Sequence, residues 1–444
     1  MRSSGLSPKP PIEELPLRSE LFSADQMERY GKTLAAAHRL SPRRTRDQLL
    51  PRLAANESVL IGVCERLTAA VSANHRISPA GEWLLDNFHL IEEEIGTAKR
   101  HLPRGYSREL PCLAVGPSVG LPRVYDIALE AISHGDGRVD ADSLSRFVNA
   151  YQSIITLKLG ELWAIPIMLR LALIENLRRV GARIAAGRAQ RDLANAWADR
   201  MMETAERDPK SVILVIADMA RSTPPMKSAF VAELARRLQG QSAALALALT
   251  WSEQWLAESH LTIEQLVQSE NQQQASDQVS ISNSIGSLRF LSAIDWRDFV
   301  ESISVVERIL RQDPQDVYRA MEFATRDRYR HAIERIAKEG RLAEPEVAAK
   351  AIQLAQASAD GKGGDDRAAH VGFYLIDRGL PDLECAAAVE VSIAGALRRI
   401  GRRHSLVLYL GAIAAITGIF TAGLAANAQA AGVNQETQIG RAHV

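Results

Sequence analysis

Cysteine, aromatic side chains and a net charge of either sign are all scarce in this chain of 444 residues. Aromatic residues make up 5% of it, and the Lys+Arg and Asp+Glu totals are equal at 53 each. The equal totals give no support for binding nucleic acid or anionic lipid through overall charge. The three cysteines lie far apart without a CxxC pair, so neither a disulfide framework nor a zinc site is indicated, and a reduced compartment fits best. They are Cys64, Cys112 and Cys385.

Sequence signatures of common enzymes are missing as well. The chain has no GxxxxGK[ST], HExxH or GxSxG motif, and no GxGxxG follows a predicted strand. Residues 361–364 (Gly-Lys-Gly-Gly) share only their composition with a phosphate loop, and without a preceding strand they predict a linker. The N-terminus lacks the apolar stretch of a cleaved signal peptide. No catalytic residue and no metal site is therefore predicted in this chain.

Alanine, leucine, arginine and glutamate are abundant, and apolar residues recur at helical spacing along most of the chain. One clear case follows Asp295, a predicted N-cap, and places Trp296 and Phe299 on one buried face. No useful stretch alternates apolar and polar residues, so a sheet is not expected. The sequence predicts an all-α fold: a multi-helix, irregular solenoid-like cytoplasmic region followed by one transmembrane helix.

Composition along the chain predicts five segments. Residues 1–19 are rich in proline and serine and are predicted to be a disordered leader. An N-terminal helical domain over 20–255 and a second helical domain over 256–403 are expected to follow. Residues 404–431 form the predicted transmembrane helix, and 432–444 a tail. Because the last six residues read like an in-frame sequencing adapter, we expect the reading frame to have been cut short, with this tail partly artefactual.

The most apolar stretch before that helix, residues 154–177, is predicted to be a buried core helix rather than a membrane span. Its longest uncharged run, Leu162–Leu169, is only eight residues, whereas a bilayer needs about 20. Buried charges must be paired or must face a polar cavity, and ion pairs between helices are the favoured interpretation. The charged residues concerned are Glu161, Arg170, Glu175 and Arg178.

The predicted membrane segment lies near the end of the chain. From Ser405 to Gln435 there is no charged residue, and Leu406–Ala426 is long enough to cross a bilayer. Arginines at 398, 399, 402 and 403 precede it, and the positive-inside rule places everything upstream in the cytoplasm. The alternative is a buried helix of a soluble domain.

His89 and Glu93 are one candidate pair for chemistry. They lie four positions apart, which places both on one helix face and would suit a metal or an acid–base pair. No second histidine or cysteine is placed to complete a site. The simpler interpretation is a solvated acidic turn at residues 92–94.

The loop over residues 101–122 holds a second candidate group, Arg104, Tyr106 and Arg108. Guanidinium groups and a tyrosine ring on a proline-stiffened loop can hold a phosphate or stack on a sugar. The alternative is that both arginines pair with the acidic residues 92–94 and tie the loop to its neighbouring helix.

Seven ordered blocks of sequence resemble the N-terminal region of bacterial cyclic β-1,2-glucan synthases, which are large inner-membrane enzymes. The resemblance covers about residues 20–420. The blocks are WLLDNFHLIEEEI (83–95), LPRGYSRELPCLA (102–114), PRVYDIALEAISHGDGRVD (122–140), GELWAIPIMLRLALIENLRR (160–179), SAIDWRDFVESISVVERIL (292–310), DPQDVYRAMEFATRDRYRHAIE (313–334) and HVGFYLIDRGLPDLE (370–384).

This resemblance implies a membrane glucosyltransferase that uses UDP-glucose and a divalent metal to build and cyclise β-1,2-glucan. The family's catalytic motifs lie beyond the first membrane helix, so no catalytic residue carries over and this fragment is expected to be non-catalytic alone. Its expected partners are the downstream transferase module, β-1,2-glucan and membrane lipid, with no nucleic acid. Aromatic and polar groups suited to glycan or interdomain contact are Trp83, His89, Glu93, Arg104, Tyr106, Arg108, Tyr125 and Asp126.

Two other functions remain open at this point. A membrane-anchored helical scaffold that binds protein partners would show the same helical pattern and the same apolar segment. A small enzyme acting through His89 and Glu93 ranks last, because no further residue is placed to assist them.

Overall fold

The structure is a computed structural model that describes residues 14–42, 46–73, 75–102, 105–362, 366–389 and 405–430. These residues form nineteen α-helices and no β-strand, which confirms the predicted all-α fold. The first twelve are α1 (Ala24–Ala37), α2 (Leu49–Ser72), α3 (Pro79–Asp86), α4 (Phe88–His101), α5 (Arg123–His134), α6 (Ala141–Gln152), α7 (Leu159–Arg207), α8 (Val212–Ser222), α9 (Ser228–Leu238), α10 (Ala243–Ala257), α11 (Ile263–Ala293) and α12 (Trp296–Ile303). The others are α13 (Val305–Leu310), α14 (Val317–Ala320), α15 (Phe323–Glu339), α16 (Glu344–Lys362), α17 (Val371–Ile376), α18 (Leu380–Ala386) and α19 (Ser405–Ala430).

The chain divides into two compact units at Glu307 and Arg308. The long helix α11 packs on α3, α7 and α9, and it therefore belongs to the first unit. The predicted domain boundary at residue 255 stays a prediction.

Helix α7 is the centre of the first unit and runs for 49 residues. Helices α2, α4, α5 and α11 pack around it, and its apolar residues from Leu162 to Ile184 are buried among theirs. Pro166 lies within the helix without ending it. The stretch predicted to be a buried core helix over 154–177 is thus confirmed from Leu159 onward, and the helix continues to Arg207. Residues 154–158 precede the helix, and Ile154 is exposed.

A second apolar core forms where the C-terminal half of α7 meets α8, α9 and α10. Ala194, Ala198 and Met201 supply the α7 side of this core, and Phe230 and Leu234 of α9 are fully buried against it. Alanines on α7 allow the neighbouring helices to approach closely, which suits a long helix that must serve two cores.

Two stretches in which the apolar helical period continues without interruption, residues 79–101 and 296–310, are each divided into two helices at a polar residue. The first divides at Asn87, whose Nδ2 donates to the carbonyl of Trp83 at 2.8 Å. The second ends at Ser304, whose Oγ accepts from the backbone N–H of Glu307 at 3.2 Å. Both side chains compete with the helical backbone for hydrogen bonds: Asn87 bonds back to the last turn of α3, and Ser304 caps the first turn of α13.

Residues 14–22 form an extended segment, here called the strap, that lies on the first unit. The backbone N–H of Leu17 donates to Asn176 Oδ1 at 3.1 Å, and that of Ser19 donates to the carbonyl of Ser133 at 3.1 Å. Phe22 stacks on the ring of His134 with 3.9 Å between centroids. The strap includes part of the predicted disordered leader; the rest of that leader, residues 1–13, lies outside the described residues.

The second unit, from Arg308 onward, has its own buried polar anchor. Both carboxylate oxygens of Asp313 are used: Oδ1 accepts from the backbone N–H of Val371 and Oδ2 lies 2.8 Å from His370 Nδ1. These bonds fix the start of α17 against the turn that precedes α14.

Helix α19 contains the apolar segment predicted near the C-terminus. Within it, Tyr409–Asn427 has a mean hydropathy of 1.7, and none of this window is buried. In the described ranges it is the one helix long and apolar enough to cross a membrane, by length and composition. The predicted orientation of this helix in the membrane depends on the arginines within residues 398–403, which lie outside the described residues.

The crossing of α1 and α6 gives a first testable expectation. A Cβ on Gly31 would lie 2.8 Å from the backbone carbonyl oxygen of Phe147. We expect Gly31→Ala to lower the free energy of unfolding by about 1–3 kcal/mol, because the two backbones must separate to admit the methyl group. Thermal or urea denaturation followed by circular dichroism measures it.

Gly96 on α4 is the matched control for this substitution. A Cβ there meets no atom within 4 Å. Gly96→Ala should raise the free energy of unfolding by about 0.5–1 kcal/mol through helix propensity alone. Equal effects at the two positions would contradict a close helix crossing at Gly31.

Candidate functional site

The charged residues of α7 are paired inside the first unit, as predicted. Glu161 is fully buried, and its two carboxylate oxygens accept hydrogen bonds from Nε and Nη2 of Arg123, each at 2.6 Å. Arg170 Nε donates to Glu94 Oε2 at 2.7 Å, and Arg178 donates to Asn56 Oδ1 and to Glu14 of the strap. These pairs join α7 to α5, α4, α2 and the strap.

Glu175 is the most heavily bonded of these carboxylates. It is fully buried, and it accepts hydrogen bonds from Arg52 at 2.5 Å, from Arg179 at 2.5 Å and from the Tyr125 hydroxyl at 2.7 Å. Burial raises the pKa of its carboxyl, but the hydrogen bonds and charge of Arg52 outweigh it and hold the pKa at about 2. Glu175 therefore stays ionised.

Tyr125 and Asp126, two candidate glycan contacts, lie inside this core. Burial raises the pKa of Tyr125 well above its ordinary value, and only 1% of the residue is exposed. Asp126 Oδ2 lies 3.0 Å from His38 Nε2, and Nδ1 of the same ring lies 2.8 Å from the Tyr151 hydroxyl. Both residues are thus committed to contacts within the unit.

Trp83, His89 and Glu93 lie on the surface of α3 and α4. Trp83 is 40% exposed, and the side chains of the two others are exposed without a hydrogen bond to any described residue. The spacing of His89 and Glu93 places them on one face of α4, but the structure adds no third group to them. Nowhere in the described parts of the chain do three His, Cys, Asp or Glu side chains gather where they could hold a metal ion.

The loop after α4 is held by contacts other than the predicted arginine pairs. The backbone N–H of Gly105 donates to Asp47 Oδ2 at 3.2 Å, and the Tyr106 hydroxyl lies 3.5 Å from the carbonyl of Gly160. Arg108 is exposed, and Glu94 pairs with Arg170 instead. Arg104 lies outside the described residues. The candidate residues that the structure describes are therefore divided between core and surface, and they are not gathered into one site.

A cavity of about 490 Å³ lies elsewhere in the first unit, at residues that the sequence did not single out. It opens between the strap, the turn joining α5 to α6, and α11. Its polar lining includes Arg18, His134, Asp136, Arg138 and Asn283. The apolar lining is supplied mainly by Phe22, Met27, Leu144, Phe147 and Val279.

The turn that carries Asp136 is rigidly held. Asp136 and Gly137 both have positive φ, 47° and 80°, and a Cβ on Gly137 would lie 2.4 Å from Ser284 Oγ. Asn283 Nδ2 donates to the Asp136 carbonyl at 3.1 Å, and Ser287 Oγ donates to the Gly137 carbonyl at 2.8 Å. Only glycine fits at the second position, and the turn is thereby tied to α11.

Asp136 itself is only 2% exposed, and neither of its carboxylate oxygens has a hydrogen-bond partner among the described residues. The nearest cation is Arg18 of the strap, whose Nη2 lies 3.3 Å from Oδ2. Burying a carboxylate without hydrogen bonds lowers the stability of the folded chain. A ligand that donates hydrogen bonds to Asp136 in this cavity would therefore be stabilising.

Comparison with known proteins gives one curated relative and no match to a protein-family model. The relative is the cyclic beta-(1,2)-glucan synthase NdvB of Rhizobium meliloti (strain 1021), which is 33% identical to this chain over 341 residues. The alignment covers 77% of this chain but 12% of the relative, so the chain spans a small part of the relative's length. Over most of its length this chain is similar to one region of a bacterial cyclic β-1,2-glucan synthase.

Proposed function

We propose that this chain is the helical cytoplasmic region of a membrane-bound cyclic β-1,2-glucan synthase and supports the transferase without taking part in the chemistry. The observation that carries the proposal is the 33% identity over 341 residues with the synthase of Rhizobium meliloti. The donor would be UDP-glucose, used with a divalent metal by a transferase module elsewhere in the same polypeptide, which is also this region's main partner.

The internal chemistry of the first unit supports a structural role. Its buried carboxylates at Glu94, Glu161 and Glu175 are each matched by an arginine within hydrogen-bonding distance. Groups committed in this way are not free to act as general acids, bases or metal ligands. They hold helices distant in sequence at fixed positions, so the unit offers a rigid surface on which a catalytic module can pack.

The membrane location of the proposed enzyme rests on α19. Tyr409–Asn427 meets the length and hydropathy of a span, and four arginines precede it in the sequence at 398, 399, 402 and 403. By the positive-inside rule, the helical units would lie on the cytoplasmic side of the bacterial inner membrane, with α19 in contact with lipid.

Glucan synthesis in isolated membranes tests this proposal. Membranes that contain this chain alone should incorporate no glucose from labelled UDP-glucose into glucan. The Rhizobium meliloti synthase with the region that matches this chain deleted should reach the membrane, by immunoblot, yet lose most of its glucan synthesis. The loss is expected because the transferase would lack the surface against which it packs.

Two outcomes would contradict the proposal in different ways. Glucose transfer by this chain alone would show that it carries catalytic residues of its own. Undiminished glucan synthesis by the deleted synthase would show that the region does not support the transferase, and would favour a membrane-anchored scaffold for protein partners.

A further inference from the structure

The cavity between the strap, the α5–α6 turn and α11 is separate from the paired charges that stabilise the core. At about 490 Å³ its volume falls in the range of small-molecule sites, and apolar side chains form much of its wall. Phe22 and Phe147 line it from two elements, the strap and α6. It is therefore shaped for a ligand with at least one apolar face.

The polar groups of the cavity balance in charge. Arg18 and Arg138 line it together with Asp136 and Asp140. Because the two carboxylates offset the two guanidinium groups, the lining gives a phosphate, a metal ion or an amine no net electrostatic advantage. A neutral ligand needs none, and it can use the donors and acceptors that the charged groups supply.

The carboxylate of Asp136 indicates which kind of neutral ligand the cavity would bind. Its two buried oxygens lack hydrogen bonds to described residues, and each can accept from a hydroxyl group. Arg18 lies beside it, with Nη2 3.3 Å from Oδ2 of the same carboxylate, and its guanidinium group has further N–H donors for hydroxyl oxygens. Adjacent hydroxyls on a ring, with C–H groups on its faces, match a carboxylate and an arginine set beside aromatic rings.

We propose that this cavity is a binding site for a neutral oligosaccharide, with the Asp136 carboxylate as its principal hydrogen-bond acceptor. The choice of β-1,2-linked glucose as the bound sugar rests on the proposed function, whereas the site itself rests on the cavity and on Asp136. Binding would place a short stretch of glucan against the strap.

Calorimetric titration of the full chain, in a detergent without a sugar headgroup, tests the site. The probe is a linear β-1,2-linked glucopentaose, with cellopentaose and inorganic phosphate as comparisons. Asp136→Asn keeps the shape of the side chain and tolerates the positive φ, but removes the charge that strengthens both hydrogen bonds. We expect it to weaken binding at least about tenfold.

Asp142→Asn is the matched control, since Asp142 is an exposed carboxylate in the first turn of α6 that does not line the cavity. It should bind like the unmodified chain. The melting temperature of Asp136→Asn without ligand should change little, because the variant removes a buried charge that has no hydrogen bond but also removes its ion pair with the partly exposed Arg18. A lower melting temperature with unaltered binding would show that Asp136 is only structural.

The remaining outcomes separate the site from the sugar. Failure of every sugar to bind, or binding that Asp136→Asn leaves unchanged, would overturn the site. Phosphate that binds and displaces glucopentaose would overturn the neutral ligand. Equal affinity for cellopentaose would support an oligosaccharide site while overturning the β-1,2 assignment, and it would leave the role in glucan synthesis to be decided by the membrane assay.

Discussion

Replacing Arg123 by alanine is expected to lower the free energy of unfolding of the first unit by about 3–5 kcal/mol. Arg123 and Glu161 are 2% and 0% exposed and share two hydrogen bonds of 2.6 Å. Without the guanidinium group the Glu161 carboxylate would remain buried as an unpaired charge. The urea concentration at half-unfolding, followed by circular dichroism on the full chain in detergent, measures this loss.

A double-mutant cycle distinguishes the contribution of the Arg123–Glu161 ion pair from the loss of packing that follows when a side chain is shortened. Arg123→Met and Glu161→Met together fill both positions with apolar atoms. The double variant should therefore lose less free energy of unfolding than the sum of the losses in the two single variants. Arg146→Ala is the surface control, because its pairs with Asp25 and Glu28 are exposed. It should leave the midpoint unchanged. A shift for Arg123→Ala no larger than for this control would contradict a buried, structural ion pair.

Glu175→Gln should remove much of the acid sensitivity of the first unit. The pKa of Glu175 is about 2 in the folded chain against an ordinary value of 4.5. Since each pH unit of difference is worth about 1.4 kcal/mol, ionised Glu175 contributes about 3 kcal/mol at neutral pH. Because the folded-state pKa is the lower one, this stabilisation is present above pH 4.5 and is lost as the pH falls towards 2.

Urea midpoints measured at pH 7, 4 and 3 test this expectation. The unmodified chain should lose stability across that range more steeply than Glu175→Gln, and the difference in stability between the two should narrow as the pH falls. Glu203→Gln, also on α7, is the control, because Glu203 pairs with Arg207 in an exposed i,i+4 pair. Its profile should match that of the unmodified chain. Parallel profiles for all three proteins would mean that the Arg52–Glu175 contact does not stabilise the folded state.

The helical class and the buried charges of α7 could be predicted from the sequence because both follow from local pattern. A charge inside an apolar helix must be paired, whatever the fold. The partners could not be predicted, since Arg52 and Glu175 lie 123 positions apart and meet only through packing. The helix breaks at Asn87 and Ser304 could not be predicted for a related reason: an apolar period continues across each of them, and a side-chain hydrogen bond accompanies each break.

The cavity was missed because its features belong to several distant segments. The sequence His134-Gly135-Asp136-Gly137 reads as an ordinary turn, and the paired glycines are its one visible signal. Burial of Asp136 depends on α11, about 150 positions away, and on the strap near the N-terminus. The strap overlaps the leader that the sequence predicts to be disordered, and its hydrogen bonds to α5 and α7 show where it lies.

Glucan synthesis by a chimera tests the central claim most directly. In it, the matching region of the Rhizobium meliloti synthase is replaced by the corresponding residues of this chain. The account predicts that membranes with this chimera make β-1,2-glucan from labelled UDP-glucose, and that Arg123→Ala in the graft reduces the amount as it destabilises the first unit. A chimera that accumulates in the membrane to the level of the parent enzyme but forms no glucan would contradict the claim.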